Sequence, residues 1–208
     1  MTSCAVFMAH LHITIKGTVQ GVGFRPSVYN LARKLGLKGY VTNTSEGVII
    51  EVEGDEAAGF ADAHSENLPP LARIDSIEIK ELHPAGYDDF TILRSIDEGG
   101  FTHISPDMSI CDDCLKELLT PSNRRFQYAF TNCTNCGPRY SITKQVPYDR
   151  PNTTMSVFPM CPQCLAEYND PSDRRFHAQP NACPVCGPQV QLKVQSSKLM
   201  NGNRFPRR

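Results

Sequence analysis

The chain of 208 residues is long enough for one or two domains, and its 40% apolar and 21% charged residues are typical of a globular protein. Its longest apolar run near the N-terminus, residues 4–9, is too short for a membrane span or a signal-peptide core, so we expect a cytoplasmic protein without a membrane partner. The formal net charge is −1, but residues 101–208 carry 13 Lys and Arg against 8 Asp and Glu. This half therefore has an excess of five positive charges. Eight metal-bound thiolates on two divalent ions would cancel about four of them, so we expect no nucleic-acid partner.

Strand and helix patterns alternate through the first hundred residues. Residues 11–16 alternate as in a strand, and residues 27–35 carry apolar side chains at helical spacing as far as Gly36, a common residue at helix ends. A second helix is expected from residue 54, with Asp55 as its N-cap. Further strands are predicted at residues 39–42, 47–52, 74–79 and 90–93.

This order of elements is βαββαβ followed by one short strand, which is the ferredoxin-like arrangement. For residues 8–96 it predicts an α+β sandwich, in which an antiparallel sheet carries two helices on one face. About ninety residues are enough for one modest core.

A glycine-rich loop, G-T-V-Q-G-V-G-F-R at residues 17–25, joins the first strand to the first helix. Its three glycines allow several backbone N–H groups to converge on one point, where a helix N-terminus adds partial positive charge. Arg25 adds a planar guanidinium suited to a phosphate or a carboxylate. The loop therefore indicates an anion site, although glycine-rich turns of this kind often bind nothing. It matches neither the dinucleotide fingerprint nor a P-loop.

Asn43 ends the strand that follows the first helix, near this loop if the predicted fold is right. A neutral amide there can orient a water molecule while Arg25 and the loop N–H groups neutralise a phosphoryl group. The alternative is that Asn43 is an ordinary turn residue.

The two stretches together, residues 17–25 and G-Y-V-T-N-T-S-E-G at residues 39–47, resemble the signature blocks of acylphosphatases. The resemblance implies that Arg25 binds the phosphate and that Asn43 orients the attacking water, the two catalytic roles. It also implies a phosphate-binding loop made of Gln20, Gly21, Val22, Gly23, Phe24 and Arg25.

Eight of the nine cysteines form four C-x-x-C pairs in two sets that are offset by 50 residues. Neighbouring motifs follow the same offset, since P-S-N-R-R-F at residues 121–126 returns as P-S-D-R-R-F at residues 171–176. We interpret residues 104–190 as a duplicated cysteine module, with a first unit at about residues 108–141 and a second unit at about residues 158–190. The eight candidate ligands are Cys111, Cys114, Cys133, Cys136, Cys161, Cys164, Cys183 and Cys186.

Two C-x-x-C turns supply the four thiolates of a tetrahedral zinc site, and a four-sulfur site leaves no open coordination position. We therefore predict two structural zinc ions, with iron as the less favoured alternative. Pairing of the cysteines within each unit is the simplest arrangement, and an interleaved pairing remains open. His177 is not expected to be a ligand, because the first unit has Gln127 at the equivalent position. The Arg-Arg pairs at residues 124–125 and 174–175 are expected on a solvated face.

In this chain the cysteine module follows an acylphosphatase-like domain. The module contains S-P-D-M-S-I-C-D-D-C-L at residues 105–115 and Y-D-R-P-N-T-T-M at residues 148–155. This combination resembles the HypF-type hydrogenase-maturation carbamoyltransferases. The resemblance implies carbamoyl phosphate as substrate and a HypE-type acceptor protein as partner. The family continues into nucleotide-binding and carbamoyl-transfer domains, whereas residues 194–208 are polar and are expected to be a disordered tail. We thus expect a fragment, a truncated product or one part of a split enzyme.

The favoured hypothesis is that the chain hydrolyses an acyl phosphate, which the resemblance narrows to carbamoyl phosphate. The first alternative is a non-catalytic zinc-containing module that binds another protein. The second alternative is an inactive fragment.

Overall fold

The computed structural model describes residues 9–96 and 104–191, and its first part is built on a five-stranded sheet. The strands lie in the order β4-β1-β3-β2-β5, and neighbours are antiparallel except for the parallel pair β2 and β5. Their bounds are β1 Ala9–Thr18, β2 Lys38–Thr44, β3 Gly47–Gly54, β4 Arg73–Leu82 and β5 Phe90–Ile92. The α+β ferredoxin-like prediction is confirmed.

Two helices pack on one face of this sheet, α1 (Phe24–Lys34) and the short α2 (Phe60–Ser65). In the central strand β1, every second side chain faces the helices, so that Leu11, Ile13 and Ile15 are buried. Antiparallel pairing of β1 with β3 places Ile13 opposite Ile50 in the same layer. The core of the domain therefore lies between the sheet and the two helices.

The prediction that Asp55 caps the second helix was wrong. A 3₁₀ turn, Ala57–Gly59, precedes α2, and the α2 N-cap is Gly59, which offers no capping side chain. The segment still packs into the core, because Ala57, Phe60 and His64 are all buried.

The cysteine module contains two short helices related by the 50-residue offset, α3 (Asp112–Leu119) and α4 (Pro162–Asn169). Each begins directly after the first cysteine of a C-x-x-C pair. Four 3₁₀ turns make up most of the remaining regular structure in the described part of the module, at Thr134–Cys136, Tyr140–Ile142, Arg150–Asn152 and Thr154–Val157.

The Arg-Arg pairs do not form a solvated face, contrary to expectation. Arg125 is 1% exposed and Arg175 is 2% exposed. Each pair crosses to the opposite unit: Arg125 binds Glu167 at 2.5 Å, and Arg174 binds Glu117 at 2.6 Å. These reciprocal ion pairs join the two units to each other, because burial of a guanidinium requires a partner charge.

No helix among residues 9–96 and 104–191 has the length and apolar content needed to cross a bilayer. The tail expected at residues 194–208 lies outside the described residues.

Candidate active site and metal centres

The glycine-rich loop lies between β1 and α1, where its backbone approaches the first turn of the helix. Gly21 and Gly23 have φ values of 74° and 80°, which favour glycine, and Gly23 is the N-cap of α1. The first turn of α1 contains no acidic side chain. Within the described part of the chain, no backbone carbonyl group accepts from the backbone N–H groups of residues 21–25, and no side chain caps α1. The loop thus presents unpaired donors at a helix N-terminus, which is the arrangement that binds anions.

Arg25 and Asn43 are brought into direct contact and are both buried, at 7% and 1% exposure. With the Asn43 amide oriented so that Oδ1 faces the guanidinium, Oδ1 accepts hydrogen bonds from Arg25 Nη2 at 3.1 Å and Nε at 3.2 Å. The two residues that the acylphosphatase resemblance singled out therefore lie at one point, beside the N–H groups of the loop.

The other members of the predicted phosphate-binding loop contribute through the backbone. The side chain of Gln20 is buried and braces the loop, because Nε2 donates to the carbonyl oxygens of Thr44 at 2.8 Å and Gly47 at 3.1 Å. The side chains of Val22 and Phe24 are 1% exposed and belong to the core. Only Arg25 among these residues directs a charged group toward an anion at the loop.

The cysteine module covers the loop, which the sequence did not reveal. A Cβ atom built on Gly21 would lie 2.6 Å from Pro138 Cβ and 2.8 Å from the Tyr148 ring. A Cβ on Gly23 would lie 3.1 Å from Thr134 Cβ. The space left between the loop and its cover is about 10 Å³, roughly the room of one water molecule, so a phosphoryl group fits at the loop only when the cover shifts.

A larger cavity of about 530 Å³ opens on the other side of Arg25. Asp149 lines it, and its Oδ1 accepts a hydrogen bond from Arg25 Nη2 at 2.6 Å. Tyr168, His177 and Gln179 of the second unit line it as well. The cavity is large enough for a small acyl group beside an anion held at Arg25.

His177 lines the same two cavities as Arg25, a position that the sequence patterns do not predict. Its ring packs edge-on against Phe176, with ring centres 4.6 Å apart, and lies tilted by 33° against Tyr168 at 5.0 Å. Burial, and to a lesser degree the positive charge of Arg25, lower the pKa of His177 to about 4, so its imidazole is neutral near pH 7. The residue lines both cavities and lies outside the cysteine clusters.

The eight cysteines form two clusters, one within each unit, and in each cluster the four sulfur atoms lie within 4.8 Å of one another. The first cluster is Cys111, Cys114, Cys133 and Cys136, and the second is Cys161, Cys164, Cys183 and Cys186. Adjacent sulfur atoms are 3.6 Å (Cys111 to Cys133) and 3.7 Å (Cys183 to Cys186) apart. A tetrahedral ion with Zn–S bonds of about 2.3 Å requires about 3.8 Å, so the donor set and its spacing fit zinc.

Arginine side chains surround both clusters. Arg124 Nη2 of the first unit lies 3.2 Å from Cys164 Sγ in the second, and Arg174 Nη1 of the second lies 3.4 Å from Cys114 Sγ in the first. N–H donors of this kind stabilise thiolate charge at a metal site. Each cluster thus receives N–H donors from an arginine of the opposite unit.

Two different protein families match the two halves of the chain. Residues 11–92 match the acylphosphatase family, and residues 110–143 and 160–193 each match the HypF finger family. The acylphosphatase of Thermotoga maritima is 44% identical over 88 residues, which cover 41% of this chain and 97% of that protein. The chain therefore belongs to the acylphosphatase family through its first domain.

HypF carbamoyltransferases are similar to a larger share of the chain than the acylphosphatases are. The carbamoyltransferase HypF of Rhizobium leguminosarum bv. viciae is 51% identical over 146 residues, which cover 70% of this chain and 19% of that protein. A crystal structure of full-length HypF in the phosphate- and nucleotide-bound form is 53% identical, with a TM-score of 0.84 over 88% of this chain and 24% of that one. The chain spans about a fifth of the length of the curated HypF relatives.

Proposed function

We propose that this chain hydrolyses acyl phosphates, with carbamoyl phosphate as the substrate, as the first step of a HypF-type carbamoyl transfer. The observation that carries the proposal is the buried contact between Arg25 and Asn43 beside the unpaired N–H groups of the glycine-rich loop. The HypF relatives support the choice of carbamoyl phosphate, and the relative crystallised with phosphate supports an anion site. A HypE-type acceptor is the partner proposed for the later transfer.

In the proposed reaction, the loop N–H groups and Arg25 hold the phosphoryl oxygens and neutralise their charge. Asn43 Oδ1 is bonded to Arg25, which leaves the Asn43 amide nitrogen as a donor that orients a water molecule. The water oxygen attacks phosphorus, and the bond between phosphorus and the carbamoyl oxygen breaks. Carbamate leaves with the bonding electron pair, and the proton of the attacking water passes to the phosphate oxygens or to solvent.

We further propose that the two cysteine clusters hold one zinc ion each. When bound, the ions supply structural cross-links, since a four-sulfur site has no position for substrate. Each unit is too small to be stable on its own core, so binding of the metal contributes most of its folding free energy. The units in turn cover the glycine-rich loop, which gives the metal sites an indirect role in the hydrolytic site.

Release of inorganic phosphate from carbamoyl phosphate and acetyl phosphate tests the proposed activity. We expect saturable hydrolysis by the wild-type protein and a loss of at least about 100-fold in kcat/KM in Arg25→Ala, because the charge-neutralising guanidinium is gone. Asn43→Ala should lower kcat by a similar factor, with a smaller change in KM.

Full activity of both variants would contradict the site assignment. A wild-type protein that hydrolyses neither substrate but captures a HypE-type protein would favour the non-catalytic alternative. Lys16→Ala serves as the control, because Lys16 pairs with Glu46 on the exposed surface.

A further inference from the structure

We propose that Asp149 is a positioning residue of the phosphate site, whose fixed carboxylate holds the Arg25 guanidinium in the orientation that receives a phosphoryl group. This inference rests on the proposed function of Arg25. Asp149 belongs to the linker between the two cysteine units and is 124 residues away from Arg25 in the chain.

The contact between the two charges is close and shielded. Arg25 Nη2 lies 2.6 Å from Asp149 Oδ1, and the two side chains are 8% and 21% exposed. The other partners of Arg25 in the described part of the chain are neutral: Asn43 Oδ1, and Ser95 Oγ at 3.3 Å from Nη1. Asp149 thus supplies the negative charge that a largely buried guanidinium requires.

The neighbours of Asp149 in the chain hold it in place. On one side, Tyr148 is 1% exposed, packs against Gly21, and donates its backbone N–H to Gln20 Oε1 at 2.9 Å. On the other side, the Arg150 guanidinium donates to three carbonyl oxygens of the second unit and its approach, those of Phe158 at 2.6 Å, Gln179 at 2.7 Å and Asn181 at 2.9 Å.

This bracing distinguishes two possible roles for the carboxylate. A mobile carboxylate would compete with an incoming phosphate for Arg25 and would leave when the phosphate binds. Asp149 is anchored through Tyr148 to the glycine-rich loop and through Arg150 to the second unit. It therefore remains beside Arg25 and orients the guanidinium, as groups behind a catalytic residue commonly do.

The linker that carries Asp149 is absent from single-domain acylphosphatases that match this chain. The match with the Thermotoga maritima protein uses 88 residues of this chain and covers 97% of that protein, which leaves no room for a counterpart of residues 142–157. In this chain, the cysteine module therefore contributes a side chain to the site of the first domain. The position of Arg25 depends on both parts of the molecule.

Binding of inorganic phosphate to the metal-loaded chain of 208 residues, followed by phosphorus NMR or calorimetry, tests the proposal. We expect Asp149→Ala to raise the Kd for phosphate, and the KM for the acyl phosphate, by about 10- to 100-fold, because Arg25 is no longer oriented. The isosteric Asp149→Asn should give a smaller increase in both, since its amide oxygen still accepts one hydrogen bond. Asp89→Asn is the matched control, because Asp89 pairs with Arg33 on the exposed surface of the same domain.

Tighter phosphate binding in either Asp149 variant would overturn the proposal and show that the carboxylate competes for Arg25. An unchanged Kd together with a lower Tm or a lower metal content would also overturn it, because Asp149 would then only join the two parts. Should Asp149→Ala fail to fold, Asp149→Asn decides between these results. A wild-type protein that binds phosphate but hydrolyses nothing would overturn the proposed function. The Kd values of the Asp149 variants for phosphate would then still decide the role of Asp149.

Discussion

At the scale of single residues, His64 is a buried imidazole directly behind the glycine-rich loop. It is 2% exposed and packs against Phe24 at 4.8 Å and Phe60 at 6.0 Å, and neither of its ring nitrogens has a hydrogen-bond partner in the described part of the chain. Burial lowers the pKa of His64 to about 4. Phe24 is the residue before Arg25, so a charge on His64 would disturb the packing directly beneath the candidate site.

The lowered pKa predicts a pH dependence of stability with a definite sign. In the unfolded chain, His64 takes up a proton below its ordinary pKa of about 6.5, while in the folded chain it stays neutral until about pH 4. The free energy of unfolding should therefore fall as the pH decreases from 6.5 towards 4, by at most about 1.4 kcal/mol per pH unit from this group.

Urea unfolding of the wild-type protein and of His64→Leu, at pH 7 and pH 5, measures the free energy of unfolding that this group contributes. The two proteins contain the same cysteines. We expect a smaller loss of stability on acidification in His64→Leu than in wild type. His83→Leu, a substitution at an exposed histidine, should retain the wild-type difference between the two pH values. An identical loss in His64→Leu and wild type would contradict the account of His64.

At the scale of elements, the two cysteine units are interlocked by reciprocal ion pairs. The duplication was predictable, because motifs, cysteines and helices all follow one offset of 50 residues. The crossing was not, since a repeat in sequence does not say whether Arg125 binds a glutamate of its own unit or of the other. Because charged residues are usually exposed, the sequence predicted a solvated face for these arginines. In the structure, Arg125 is buried and its charge is balanced by Glu167 of the opposite unit.

Removal of one partner of these pairs should destabilise the whole module. Burial raises the pKa of Glu167, but hydrogen bonds and charge from Arg125 and Arg124 outweigh it and lower the pKa to about 2. Glu167→Ala would leave Arg125 buried without a counter-charge, at a cost of about 3–5 kcal/mol. We expect two zinc ions per wild-type chain by elemental analysis, and a lower Tm and faster release of zinc to a chelating dye in Glu167→Ala.

The matched control for this prediction is Glu46→Ala, which removes an exposed partner of Lys16 and should change neither measurement. Equal zinc release from Glu167→Ala and Glu46→Ala would contradict the interlocking role of the ion pair. A metal content near zero in unoxidised wild-type protein would contradict the zinc assignment itself.

At the scale of the whole molecule, the candidate site lies where the first domain meets the cysteine module. The α+β fold followed from periodicity and turn residues, and the acylphosphatase resemblance pointed to Arg25 and Asn43 as residues of one site, without their direct hydrogen bonds. The contribution of Asp149 could not be predicted, because Y-D-R-P is a short motif in a linker and its contact with Arg25 spans 124 residues. Contacts at that separation depend on how two folded parts dock, which local patterns in the sequence do not encode.

The proposed function depends on one chemical step, the attack of a water molecule on the phosphoryl group held by the glycine-rich loop and Arg25. Hydrolysis of carbamoyl phosphate in ¹⁸O-labelled water, with the products analysed by mass spectrometry and the Arg25→Ala rate subtracted as background, tests that step directly. The account predicts one ¹⁸O atom in the inorganic phosphate that wild-type protein releases. Unlabelled inorganic phosphate, released at the wild-type rate, would contradict it, because the carbamoyl carbon would then be the atom attacked.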